Sequence, residues 1–131
     1  MNISFIFSQS KMSTRTKIVF ENAKNMFKKC VRERDIEQIV SMYDKKAVLK
    51  GTLSKKPVTG HEEIRKYFEK LLDTVKGVRF DKNPILFQKK DLQFECGRYH
   101  FFKTNGEKLT ATYQFVIDRE KIISHFSSLQ K

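Results

Sequence analysis

The chain has 131 residues, 39% of them hydrophobic, and a formal charge of +12 at neutral pH. This length supports one domain with a buried core, and no apolar stretch approaches the ~18–20 residues of a membrane helix, which excludes membrane insertion. The basic residues are scattered without a block of five or more, which is typical of a solvated surface, so we expect no nucleic-acid partner.

Residues 1–12 are predicted to form a flexible tail, and residues 13–131 a single domain. The apolar segment 1–7 has neither a preceding basic region nor a cleavage site, so no secretion signal is predicted. Cys30 and Cys96 form neither a disulfide framework nor a CxxC motif. Two reduced thiols are typical of a cytoplasmic protein, and this is the compartment that we expect.

Three helices are predicted before the strands begin. Hydrophobic residues recur at three- and four-residue spacing over residues 13–34. Asp35 is a typical N-cap residue, and it begins a second helix whose apolar stripe includes Tyr43. A third helix opens at Gly60, has acids in its first turn that complement the helix dipole, and is expected to stop at Gly77.

The rest of the chain predicts strands. A turn at 44–46 comes before a short strand at 47–49, and an Asn-Gly hairpin turn lies at 104–107. The later strand-like segments are 78–88, broken by Asn83-Pro84, then 92–103, 109–117 and 121–129. Helices followed by a meander indicate an α+β fold, in which about three N-terminal helices pack in the concavity of a curved antiparallel sheet.

Strand alternation predicts which side chains can share a pocket between helices and sheet. On the last strand, Ile123, His125 and Ser127 are expected on one side. The candidate faces of the two preceding strands are Tyr99 with Phe101, and either Thr110 with Thr112 or Ala111 with Tyr113 and Phe115. The polar pocket candidates are therefore His125, Ser127, a tyrosine and a residue of the loop 51–60.

A metal site has little support in the sequence. A zinc site of three histidines would need every histidine of the chain, His61, His100 and His125. His61 lacks the second histidine one turn later that a zinc helix motif requires. There is no Gly-rich phosphate loop and no nucleophile elbow. We therefore expect no metal ion and no cofactor, and residue spacing alone does not specify a function.

The sequence resembles a known family over nearly its whole length from about residue 17. Residues 35–44, followed by Ala47-Val48-Leu49, resemble the helix and first strand of SnoaL-like domains, which have the nuclear transport factor 2-like fold. The resemblance implies a cone-shaped roll with a pocket between helices and sheet. It also implies a homodimer formed through the outer face of the sheet, with higher oligomers as a further option.

Further segments resemble one branch of this fold, the branch of the calcium/calmodulin-dependent kinase II association domain, and within it the iota-class carbonic anhydrases. The segments are 51–57 with 64–68, 97–101 with 111–116, and His125-Phe126-Ser127-Ser128. This resemblance implies a metal-free lyase that reversibly hydrates carbon dioxide. The catalytic residues that it implies are Thr52, Tyr67, His125 and Ser127, and the implied ligand pocket comprises Tyr99, Tyr113, Thr52 and Ser127.

In the implied mechanism, Thr52, Tyr67 and Ser127 hold the bicarbonate oxygens through hydrogen bonds. His125 orients or deprotonates the attacking water, since an imidazole with its ordinary pKa near 6.5 is a suitable base at neutral pH. The positive charge of the chain helps to attract the small anionic ligand.

The sequence departs from the branch pattern at three places, and the first and last of them favour an alternative. Phe126 stands where the family motif has a second histidine, Thr112 stands in place of an arginine, and Leu129-Gln130-Lys131 stands where the family has Met-Pro. The alternative is a non-catalytic module of the same fold that self-associates or binds a small ligand.

Overall fold

The computed structural model describes residues 14–130, so the predicted tail at 1–12 lies outside the described residues. No helix in this described part of the chain combines the length and apolar character needed to cross a membrane. Its elements are α1 (Thr14–Glu33), α2 (Ile36–Ser41), β1 (Tyr43–Lys50), β2 (Val58–Thr59), α3 (His61–Leu71), β3 (Val75–Phe80), β4 (Ile85–Lys89), β5 (Leu92–Lys103), β6 (Lys108–Asp118) and β7 (Lys121–Leu129).

The starts of the second and third helices follow the predicted capping chemistry. The Asp35 carboxylate accepts a hydrogen bond of 3.1 Å from the Gln38 N–H at the start of α2. Gly60 precedes α3 with a φ of 88°, a backbone conformation that favours glycine, and Glu62 and Glu63 lie in the first turn. These local signals fix where α2 and α3 begin.

The predicted end of the third helix at Gly77 is wrong. The α-helix ends at Leu71, and the N–H groups of Asp73 and Thr74 make short-range bonds to the carbonyls three residues earlier, which tightens the final turn. Gly77 instead lies within β3, opposite Phe102 of β5. Sheet pairing on β5 therefore overrides the glycine stop signal.

The predicted turn at 44–46 is also wrong, because these residues belong to β1. The pairing with β7 jumps from Tyr43–Ile122 to Val48–Ser124, so four residues of β1 stand opposite one residue of β7. The strand bulges there without breaking. Tyr43, which the pattern assigned to the second helix, is the first residue of this strand.

The sheet is mixed, whereas the sequence predicted a purely antiparallel one. Its strand order is β2-β1-β7-β6-β5-β3. β4 also pairs with β5, along residues 92–96, whereas β3 pairs with residues 99–103 of that strand. Strands β1 and β7 run parallel, whereas each of the other described pairs is antiparallel. A parallel pair requires a crossover connection, and the chain between β1 and β7 supplies it with α3 and the rest of the sheet.

The three helices pack on the concave face of the curved sheet, as predicted. The face of β6 that points inward carries Ala111, Tyr113 and Phe115, which resolves the choice that the sequence left open. Thr112 points outward and is exposed. The largest fully buried side chains of the described core are Tyr43, Tyr99, Phe20, Phe27, Phe68, Phe101, Ile39, Leu49, Ile64, Leu71, Leu72 and Ile117.

A bulge in β7 changes which residues share its inner face. Ile117 of β6 pairs with Ile122, and Val116 pairs with Ser124, so Ile123 has no direct partner across the pair. Ile122 is buried with His125 and Ser127, whereas Ile123 is only half-buried. The predicted inner row of Ile123, His125 and Ser127 is therefore wrong at its first member.

Candidate functional site

A chain of hydrogen-bonding side chains lies inside the cone and is built around His125. The imidazole Nδ1 is 2.7 Å from the Tyr43 hydroxyl, and Nε2 is 3.1 Å from the Tyr99 hydroxyl. The Thr52 hydroxyl, in the loop after β1, lies 3.4 Å from the Tyr99 hydroxyl and 2.6 Å from that of Ser127. We call these five residues the polar cluster; each of them is at most 5% exposed.

The position of His125 makes it a neutral imidazole. The ring of Phe115 lies 4.3 Å from that of His125, and Phe27 and Tyr43 pack around it. Burial without a counter-charge disfavours the imidazolium and lowers the pKa of His125 from 6.5 to about 3. The expectation of an imidazole with an ordinary pKa near 6.5 is therefore wrong.

Tyr67 of α3 lies beside the polar cluster. Its ring packs on Gly51, where an added Cβ would come within 2.0 Å of the Tyr67 Cζ, so this contact requires glycine. Burial raises the pKa of Tyr67 to about 12, although hydrogen bonds from the backbone of Leu53 and Thr52 partly offset this. Tyr67 also lines a cavity of about 360 Å³, whose other lining residues are Leu53, Ser54, Lys55, Lys70 and Leu71.

Tyr113 belongs to a second buried group. Its hydroxyl donates a 2.7 Å hydrogen bond to Glu95 Oε2, and Lys24 Nζ of α1 lies 3.2 Å from Glu95 Oε1. Burial raises the pKa of the Glu95 carboxyl, while the Tyr113 hydroxyl and Lys24 act in the opposite direction. The ring of Tyr113 stacks on that of Tyr99, with centroids 4.8 Å apart, but its hydroxyl bonds to Glu95 and not to Thr52 or Ser127.

The three histidines have separate surroundings. His61 Nε2 is 2.7 Å from the carbonyl of Tyr43, and His100 bonds to Asp81 and Thr110. In residues 14–130, no three or more His, Cys, Asp or Glu side chains are grouped so that they could hold a metal ion.

The sequence comparison decides the family. The family model described as a SnoaL-like domain matches residues 23–125. The chain belongs to the SnoaL-like domain family. No curated protein matches it by sequence.

Solved structures with this fold include proteins of different description. A protein from Xanthomonas campestris assigned as a calcium/calmodulin-dependent protein kinase II association domain is 23% identical, with a TM-score of 0.72, covering 88% of this chain and 86% of its own. A nuclear transport factor 2-like protein from Anabaena variabilis is 12% identical, with a TM-score of 0.69 and coverages of 92% and 96%. A protein from Shewanella putrefaciens assigned as a SnoaL-like polyketide cyclase is 12% identical, with a TM-score of 0.64 and coverages of 98% and 88%.

In this SnoaL-like domain, the structure brings together Thr52, Tyr99, His125 and Ser127, and it places Tyr67 beside them. The sequence reasoning missed Tyr43, because its spacing matched the apolar stripe of the second helix. It also missed the pair of Lys24 and Glu95, since each residue looks like an ordinary surface charge in the sequence. Alternation along β5, which puts Glu95 on the same face as Tyr99, could have identified the carboxylate.

We predict that replacing His125 with glutamine will weaken the pH dependence of unfolding between about pH 3 and 6.5. In this window, the unfolded chain binds a proton at His125 that the folded SnoaL-like domain does not bind. Folded-state stability therefore rises with pH, by at most about 1.4 kcal/mol per pH unit from this group. Urea unfolding at several pH values measures the slope.

The variant His61→Gln controls for the loss of one imidazole from the chain. His61 lies at the start of α3, outside the polar cluster, with Nε2 2.7 Å from the carbonyl of Tyr43. Equal slopes for wild type and His125→Gln would contradict the assignment of a buried, neutral imidazole.

Proposed function

We propose that this SnoaL-like domain is a non-catalytic module that binds a small anionic ligand, such as bicarbonate or a short carboxylate, in its cone. The observation that carries the proposal is the meeting of the Thr52 and Ser127 hydroxyls, 2.6 Å apart and almost fully buried. The bond between the two oxygens uses one of their two hydroxyl hydrogens, so the pair can donate the other to a ligand.

The surroundings of this pair favour an anion. Lys55 and Lys70 line the cavity next to Tyr67 and bring positive charge to it. The net charge of +12 raises the local concentration of small anions around the whole domain. This cavity of about 360 Å³ has room for a ligand of a few heavy atoms. Thr52 and Ser127 are not among its lining residues, and Tyr67, which bonds to the backbone of Thr52, lies between the cavity and the pair.

Binding is better supported than catalysis because the site has no base tuned to neutral pH. A general base works best when its pKa is near the operating pH, whereas that of His125 is about 3. Both ring nitrogens already face tyrosine hydroxyls. The imidazole therefore supports the other side chains structurally and is poorly placed to accept a proton from water.

We predict that Thr52→Val will weaken the binding of acetate and bicarbonate by at least about tenfold, since a hydrogen bond to a charged ligand is lost while the side-chain shape is kept. Chemical-shift titration of labelled protein at constant ionic strength measures the affinity. Thr112→Val is the matched control, because Thr112 is exposed on the outer face of the sheet. No saturable shift in the wild type, or equal weakening in the control, would contradict the proposal.

Carbonic anhydrase activity is the second candidate, and one observation favours it. The positions that the family resemblance implies, Thr52, His125 and Ser127, belong to one connected cluster. The departure at Phe126 lies on the outer face, 39% exposed and paired with Gln114, so it leaves the cluster unchanged.

Stopped-flow measurement of carbon dioxide hydration on metal-stripped protein separates the two candidates. A binding module should give no rate above that of buffer, and Thr52→Ala should match the wild type in this assay. A wild-type rate well above buffer that Thr52→Ala abolishes would support the enzyme and reject the non-catalytic module.

Self-association is supported by a row of side chains on the outer face of the sheet. The row runs across four strands through Ile85, Cys96, Gln114 and Phe126, and its two ends, Ile85 and Phe126, are 60% and 39% exposed. Exposed apolar side chains on one sheet face are typical of an interface. A second copy related by two-fold symmetry would cover both ends of the row at once.

We predict that light scattering at moderate salt will give about twice the 15.5 kDa mass of one chain, and that Phe126→Ser will shift it towards one chain. Salt is required because two copies that each carry +12 repel each other. Ile18→Ser, at an exposed position of α1, is the control and should stay a dimer. A wild-type mass of one chain at every salt concentration would reject self-association.

A further inference from the structure

We propose that Tyr43 is a positioning residue that sets the direction of the hydrogen bonds in the polar cluster, so that Thr52 and Ser127 meet their ligand as donors. The inference deepens the proposed function, because it specifies the ligand chemistry of the same site. It concerns a residue that does not itself touch the ligand, since Tyr43 lies at the far end of the chain of hydrogen bonds.

The direction of the hydrogen bonds in the polar cluster is set first at the Tyr43 hydroxyl. Tyr43 is 1% exposed, and His125 Nδ1, at 2.7 Å, is the one polar atom within hydrogen-bond distance of this hydroxyl among the described residues. If Nδ1 carried the proton, the hydroxyl would accept it, and its own O–H would be buried without a partner. An unmade hydrogen bond of a buried donor is costly. The Tyr43 O–H therefore donates to Nδ1.

This donation fixes the tautomer of His125. The imidazole is neutral at pH 7, so it carries one proton, and that proton must lie on Nε2. Nε2–H then donates to the Tyr99 oxygen at 3.1 Å. Because the Tyr99 oxygen accepts from the ring, its own O–H is free to donate to the Thr52–Ser127 pair. Thr52 Oγ1 lies 3.4 Å from it, and Ser127 also bonds to the Tyr99 side chain.

The number of hydroxyl hydrogens on Thr52 and Ser127, which end this series of hydrogen bonds, determines which ligands the pair can bind. Thr52 and Ser127 together have two hydroxyl hydrogens, and the bond between their oxygens uses one of them. Because the Tyr99 O–H supplies the hydrogen for its own bond to this pair, the other hydroxyl hydrogen remains available whichever of the two donates. The pair therefore offers a donor, which suits a carboxylate or carbonyl oxygen and disfavours a ligand that can only donate, such as an ammonium group.

The test is nitrogen NMR of the His125 ring in the wild type and in Tyr43→Phe. We expect the wild type to show a single tautomer protonated on Nε2. Without the hydroxyl of Tyr43, Tyr99 can also donate to Nε2, so both tautomers should be populated and the two nitrogen shifts should move towards each other. Protonation on Nδ1 in the wild type, or unchanged shifts in Tyr43→Phe, would overturn the inference.

Ligand affinity provides the second readout. Tyr43→Phe should weaken acetate binding by about fivefold, because Tyr99 then donates part of the time to His125 and not to Thr52. Thr110→Val is the matched control: it removes a hydroxyl that lies 2.8 Å from the ring of another histidine, His100, outside the polar cluster, and it should change neither the His125 shifts nor the affinity. If the wild type binds no acetate, the proposed function fails, while the tautomer measurement still decides the role of Tyr43.

Discussion

The burial of one neutral imidazole is the constraint on which the interior of this domain depends. His125 can be buried at low cost only because both ring nitrogens have partners, and those partners come from strands on either side of β7. Tyr43 belongs to its parallel neighbour β1, and Tyr99 to β5, one strand beyond β6. The two hydroxyls reach one ring because the sheet curves. Curvature, the parallel strand pair and the aromatic layer are therefore parts of one arrangement.

A site that satisfies its own hydrogen bonds has energetic consequences for binding. The Thr52 and Ser127 hydroxyls are already paired, so a ligand gains only the difference between its hydrogen bonds and those that it replaces. Burial strengthens electrostatic attraction to an anion, but the anion must also leave water. Selectivity should therefore come mainly from the direction of the available donors, with the lysines near Tyr67 contributing to attraction over distance.

Local chemistry predicted much of the fold from sequence. The Asp35 cap, the acids after Gly60 and the alternation along β5 and β6 each depend on neighbouring residues, and each was confirmed. The predictions that were wrong concern strands that pair with residues far away in the sequence. Gly77 reads as a helix stop but pairs with β5, and 44–46 read as a turn but form a bulged strand held by β7.

The residues of the site were also predictable from the sequence, but their surroundings were not. Alternation and family resemblance identified Thr52, His125 and Ser127 as candidates, whereas the environment of His125 could not be read from its position in the chain. Its pKa depends on Phe115 and Phe27, which approach from another strand and from a helix. The pairing of Lys24 with Glu95 likewise requires knowing that α1 lies over β5, a relation that sequence spacing does not specify.

Ile123, which has no direct partner on β6, divides β7 into two stretches, and each stretch has its own alternation of inward and outward side chains. Ile122, on the hairpin side of the bulge, faces the core, and so do His125 and Ser127 beyond it. Ile122 and His125 are an odd number of residues apart, a spacing that would put them on opposite faces of a regular strand. Loss of this extra residue would leave Ile122 and His125 two steps apart, so regular alternation would keep both side chains facing the core. The bulge thus lets β7 hold one more residue than its partner β6 while the interior side chains keep their positions, and a deletion of Ile123 should spare the polar cluster.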